Sequence, residues 1–194
     1  MPFESFKAIE DVTRPDIRNT HWSIRDSATG AVRPMAIEDV HAALAAIRLN
    51  PTVPDDIQNH FVTARHVALY SWFAFRLTMV AQFYAYATLE FALRQRFGFV
   101  QPAGPSLARL LNRAIRERLV DEQKIGEWPG LDDEKLPGDY VPGDWLRRLA
   151  EFIVYFRNDI AHGTFALTPD GGRALRITAD IINQLFPLST AVAS

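Results

Sequence analysis

The sequence predicts an all-α protein, an up-and-down helical bundle of four to five helices. Three observations lead there. Apolar residues recur at spacings of three and four over most of residues 37–186. No stretch of strict alternation is long enough to build a sheet. The prolines and glycines fall mostly between the periodic segments, where helices stop. A small β-hairpin near the C-terminus and an irregular N-terminal arm complete the expectation. The arm takes residues 1–35 and the bundle domain residues 36–194.

In chain order, Pro2, Pro15 and Pro34 interrupt the arm, and Thr29-Gly30 fits a turn inside a short hairpin near His21 to Val32. Ile37 to Leu49 reads as a short helix whose apolar side holds Leu44 and Ile47, stopped by Asn50-Pro51. Asp55 to Phe97 contains neither Gly nor Pro and reads as one long helix, with room for a single break near its start. Tyr70, Phe73, Leu77, Val80, Tyr84, Ala87 and Phe91 form one stripe on it, and Phe75, Met79, Tyr86, Leu93 and Phe97 a second side. A helix apolar on two sides belongs at the centre of a fold or against a partner chain.

Ser106 to Val120 reads as a third helix with Ser106 as its cap and Leu107, Leu110, Leu111, Ala114 and Ile115 inward. Residues 126–143 read as a Pro-, Gly- and acid-rich loop that includes Asp132, Asp133 and Glu134. Asp144 to His162 reads as a fourth helix, closed by Gly163. Thr164–Leu167 and Ala174–Ile177 would pair across the turn Pro169-Asp170-Gly171-Gly172 as the C-terminal hairpin. Thr178 would then cap a last helix, Ala179 to Phe186.

Composition removes several function classes. There is no cysteine among the 194 residues, so thiol nucleophiles, disulfides and zinc ribbons are excluded. A net charge of -2 speaks against a uniformly basic nucleic-acid binder but leaves room for a local basic site. The most apolar stretch, Val67 to Leu93, carries Arg76, Gln82 and Glu90, which are costly in lipid, so no membrane is expected. The N-terminus shows no secretory h-region, and a cytoplasmic location follows. No glycine-rich phosphate loop, Gly-x-Ser-x-Gly or His-Glu-x-x-His occurs, and His60 and His66 lie off one helix face. Neither a cofactor nor a metal is expected.

The chemistry-bearing residues gather on the fourth helix. At 100° per residue Leu149, Phe152, Ile153, Phe156 and Ile160 fall together as the inward side. Asn158 and His162 fall nearly opposite, one turn apart, with Glu151 beside them and Val154 and Tyr155 at the edges; Arg157 lies between the two sides. Such a face suits a shared interface, and equally a solvated face with incidental apolar residues.

The string Phe156-Arg157-Asn158-Asp159-Ile160-Ala161-His162-Gly163 resembles the signature of the HEPN superfamily, an Arg and a His separated by four to six residues near a helix end. The segment Thr88 to Arg94 resembles an earlier helix of many members, and the likeness spans roughly residues 60–187. The resemblance implies a helical bundle, a two-fold homodimer and, in many members, metal-independent endoribonuclease activity in toxin–antitoxin, phage-defence or abortive-infection systems. Other members only bind RNA, nucleotides or protein partners. Carried onto this chain, it makes Arg157, Asn158 and His162 the candidate catalytic residues.

Around them, Arg109, Arg113 and Arg116 form a stripe that, with Arg94, would guide an RNA backbone. The alternative is an ordinary solvated face in an Arg-rich chain, since only three of the 21 basic residues are lysine. Glu90 on the long helix should carry a cationic partner, Arg157 or Arg94, as a structural ion pair. Asp159 and the helix C-terminus beside His162 would favour its imidazolium, and Arg157 would oppose it. Two functional readings stand: an RNA-binding or RNA-cleaving homodimer with an antitoxin or other protein partner, and a catalytically inactive dimeric module that binds a protein or a nucleotide.

Overall fold

The computed structural model describes residues 6–26, 28–99, 104–126, 141–163 and 171–188. Among these the chain forms six α-helices and one two-stranded antiparallel hairpin. The helices are α1 (Ile37–Ala46), α2 (Asp55–Tyr70), α3 (Leu77–Arg96), α4 (Leu107–Arg116), α5 (Asp144–Ala161) and α6 (Gly171–Leu185). The strands, β1 (Ser23–Arg25) and β2 (Val32–Pro34), pair Ile24 with Arg33 inside the N-terminal arm. Mainly helical architecture is thus as the periodicity predicts, while several details differ.

The first difference is in the long apolar stretch. It is two helices, and the break falls at residues 71–76, well past its start. The arm explains it. Asn19, buried, donates from Nδ2 to the carbonyls of Ser71 and Trp72 at 2.9 and 3.0 Å. Asp16 accepts from the Phe75 N–H at 3.1 Å, and its own N–H donates to Trp72 O. Backbone groups freed by the break are therefore satisfied by the arm, which makes interruption affordable without Gly or Pro. Because of the break, Tyr70 to Phe91 is not one continuous stripe: Tyr70 and Val80 are exposed, whereas Met79, Tyr86 and Leu93 on the second side are buried.

The second difference is at the C-terminus. α6 begins at Gly171, inside the expected turn, so Ala174–Ile177 is helix and not strand, and Thr178 is a buried mid-helix residue and not a cap. Ala174, Leu175, Ile177, Thr178, Ile181, Ile182 and Leu185 keep helical spacing throughout. The glycine start has a packing reason: a Cβ on Gly171 would stand 3.2 Å from Thr78 Cγ2. Thr164–Leu167 lies outside the described residues.

α3 is the axis of the fold. It packs on α2, α4, α5 and α6. Toward α2 and α6 it presents Ala81 and Ala85, which meet Phe61, Ala64, Leu175 and Ala179 in one cluster. Toward α4 and α5 it presents Leu89, Ala92 and Leu93, which join Leu110, Leu111, Ile153 and Phe156 in the main core. The alanines let three helix backbones approach closely, and the larger residues fill the wider end. α1 ends at Ala46, and Asn50 behind it is fixed to the far end of α6 through Asn183 and the Phe186 carbonyl.

α4 is shorter than predicted. Ser106 occupies its N-cap position but makes no side-chain capping bond, and Arg118 just past its end takes a left-handed φ of 55°. α5 ends as its sequence predicts: His162 is the C-cap, and Gly163 follows with a left-handed φ of 82°. Among the described residues, no helix is long and apolar enough to cross a membrane.

Candidate functional site

Helical geometry puts Glu151, Tyr155, Asn158 and His162 on one side of α5, and all four are exposed. The inward side is Leu146, Ala150, Ile153 and Phe156. One expectation for that inward side needs correction. Phe152 is 51% exposed, stacked on Phe156 with ring centroids 5.5 Å apart, whereas Leu149 and Ile160 are half-buried and pack against the core. α5 rolls so that Leu146 and Ala150, not Phe152, meet the core.

His162 sits on the last turn, its backbone N–H bonded to the carbonyls of Asn158 and Asp159 at 3.0 and 3.2 Å. Its ring is exposed, and among the described residues no hydrogen bond holds it. The helix carbonyls left open at this end favour positive charge beside them. Asp159 makes no ion pair among the described residues, so its role here is through its backbone.

Arg157 is fixed more firmly. Its Nη2 donates to Glu90 Oε2 at 3.0 Å, linking α5 to α3. Its Nη1 donates to Asn158 Oδ1 at 3.2 Å, so Asn158 orients the guanidinium and not the imidazole. Its Nε is buried without an acceptor among the described residues. Glu90 also pairs with Arg94 at 3.1 Å, one turn further along α3. Two cations share one carboxylate, and the triad retains net positive charge. Side-chain exposures of 14% for Glu90, 18% for Arg94 and 32% for Arg157 leave only Arg157 with much of its surface in solvent.

Arg94 is thus held on α3 by Glu90 and largely withdrawn from solvent. It also donates to the Pro105 carbonyl at 3.3 Å, just ahead of α4. Pro105 in turn lines an open groove of about 410 Å³ with Arg109, Asn112, Arg113 and Arg116. Arg113 is paired with Glu117 at 2.7 Å and lies over the Phe97 ring at 4.2 Å. Arg109 and Arg116 are exposed. The stripe and the α5 motif are thus joined by one run of contacts, Arg157–Glu90–Arg94–Pro105. Arg118 lines the neighbouring groove with Arg116 and Arg147. Nothing in the sequence marks Arg118, because its position depends on a left-handed backbone that the residue type disfavours.

The arrangement offers a mobile-capable imidazole, a planar guanidinium held by two acceptors, and a basic groove. Among the described residues no cluster of His, Asp and Glu has the form of a metal site. His60 is engaged elsewhere, with its Nδ1 2.9 Å from the Tyr84 hydroxyl. Such a set can transfer a proton and hold an anion. Comparison of the chain with protein-family models, with curated proteins and with solved structures finds no match in any of the three.

Proposed function

We propose that the C-terminal end of α5 is an RNA-cleaving site of a cytoplasmic homodimer, with His162 as proton-transfer group, Arg157 as phosphate clamp and Asn158 as its positioning residue. The observation that carries this reading is the last turn of α5: an exposed histidine one turn from an asparagine that orients a half-exposed arginine. RNA needs no metal for strand scission, because the 2′-hydroxyl is adjacent to the phosphorus it attacks. The 2′-oxygen bonds to phosphorus, the bond to the 5′-oxygen breaks, and a 2′,3′-cyclic phosphate results. One proton must leave the 2′-hydroxyl and one must reach the 5′-oxygen.

A single chain provides one His162. Two copies related by a two-fold axis along the exposed face of α5 would place two imidazoles in one cleft, one taking and one giving a proton. The apolar residue on that face, Tyr155 at 67% exposure, suits a contact between copies. The groove along Arg109, Arg113 and Arg116 would hold the phosphates flanking the cleaved bond.

The same exposed Tyr155 favours a second reading, a catalytically inactive interaction module that docks an antitoxin or another protein on α5. Growth separates the two. Expression of an active nuclease arrests cells, and His162→Ala restores growth at equal protein level. Equal growth of both, with both proteins folded, supports the interaction module instead.

A further inference from the structure

A second site lies on another flank of α5. α3, α5 and α6 enclose a cavity of about 240 Å³ whose walls are aromatic: Tyr86 from α3, and Trp145, Phe152 and Phe156 from α5. At its rim stand Arg148 of α5 and Arg173 in the first turn of α6. No carboxylate lines it among the described residues.

Two side chains at the cavity are open to a ligand. Phe152 is 51% exposed although its neighbour Phe156 is buried, so a large apolar surface faces water at the cavity mouth. Arg148 is exposed and makes no ion pair among the described residues, while Arg147 beside it is paired with Asp144 at 2.9 Å. A ligand that joins a ring to an anion meets both side chains together. Aromatic walls favour a flat ring over a flexible chain. The exposed Arg148 guanidinium favours a planar or tetrahedral oxyanion.

We infer that this cavity binds a small aromatic anion, a single ring with a short carboxylate or phosphate arm, its ring between Trp145 and Phe152 and its anionic head on Arg148. The void, at about 240 Å³, has room for a single ring. The site is separate from the exposed Asn158–His162 side of α5, so it stands whether or not that side cleaves RNA.

The experiment is calorimetric titration of the full chain with phenylacetate, phenyl phosphate, 2-phenylethanol and inorganic phosphate. One or both aromatic anions bind saturably, and whichever is tighter identifies the head group. 2-Phenylethanol lacks the charge and inorganic phosphate lacks the ring, so each binds at least about tenfold more weakly. Arg148→Gln and Phe152→Ser, both at exposed positions that leave the fold intact, each weaken the aromatic anion by about tenfold. Ala174→Leu, which fills the void, removes binding. Three results overturn the inference: no saturable binding of either aromatic anion, equal binding of the neutral alcohol, or binding unchanged in both Arg148→Gln and Phe152→Ser. His162→Ala binds the same ligand as the parent.

Discussion

Glu90 shows how one residue decides the state of the candidate site. It holds Arg157 and Arg94 on one carboxylate, mostly out of solvent. Removing it takes away the carboxylate that both guanidinium groups share, in a place where water screens their mutual repulsion poorly. Glu90→Ala should cost about 1–2 kcal/mol in urea unfolding, whereas Glu117→Ala, which breaks the exposed pair with Arg113, should cost less than about 0.5 kcal/mol. Equal losses would mean that the Glu90 triad is as solvent-screened as the surface pair. The need of a helix-borne glutamate for a cation was readable from the sequence, because its neighbours Leu89, Ala92 and Leu93 are apolar. That it takes both arginines was not, since the second depends on the packing of α5 against α3. Phe152 is the opposite case. Its spacing from Phe156 and Leu149 assigns it inward, but a small roll of α5 decides between core and cavity mouth, and periodicity cannot resolve that roll.

At the scale of elements, the arm determines where the long apolar stretch breaks. Residues 55–97 carry no helix breaker, so local propensity alone runs the helix through. Asp16 and Asn19, more than fifty residues away, supply the competing hydrogen bonds. Non-local contacts of this kind leave no local signature, which is why the break was not legible. The same holds for α6, where two glycines and a preceding proline imitate a turn while the apolar spacing already runs as helix. Asp16 also makes the arm sensitive to acid. Its hydrogen bonds with the Arg18 side chain, and then those from the backbone of Phe75 and Arg18, hold its carboxyl at about 2, below the ordinary 3.8 and against the opposing effect of burial. A carboxyl lowered in the folded state adds stability above its ordinary value and loses it as pH falls. The arm should therefore loosen between about pH 4 and 2, read as a change in Trp22 and Trp72 fluorescence, and Asp16→Asn should flatten that transition. An unchanged transition in Asp16→Asn would place the acid sensitivity elsewhere.

For the whole molecule, the helical architecture and the termination of α5 at His162-Gly163 were legible because they rest on periodicity and on one glycine. The outward placement of Asn158 and His162 followed from the same wheel. The link from Arg157 through Glu90 and Arg94 to the α4 groove was not, because it crosses three helices. Together they describe a bundle whose helix α5 presents the proposed proton-transfer turn, with Asn158 and His162 exposed, on one side and an aromatic cavity on another. The central claim is that the first of these cuts RNA without metal. The direct measurement is incubation of a labelled mixed-sequence RNA with the purified protein in EDTA, beside His162→Ala at equal concentration. Cleavage by the parent alone, leaving 2′,3′-cyclic phosphate ends, is the predicted result. Intact RNA with both folded proteins, or equal cleavage by both, would contradict it.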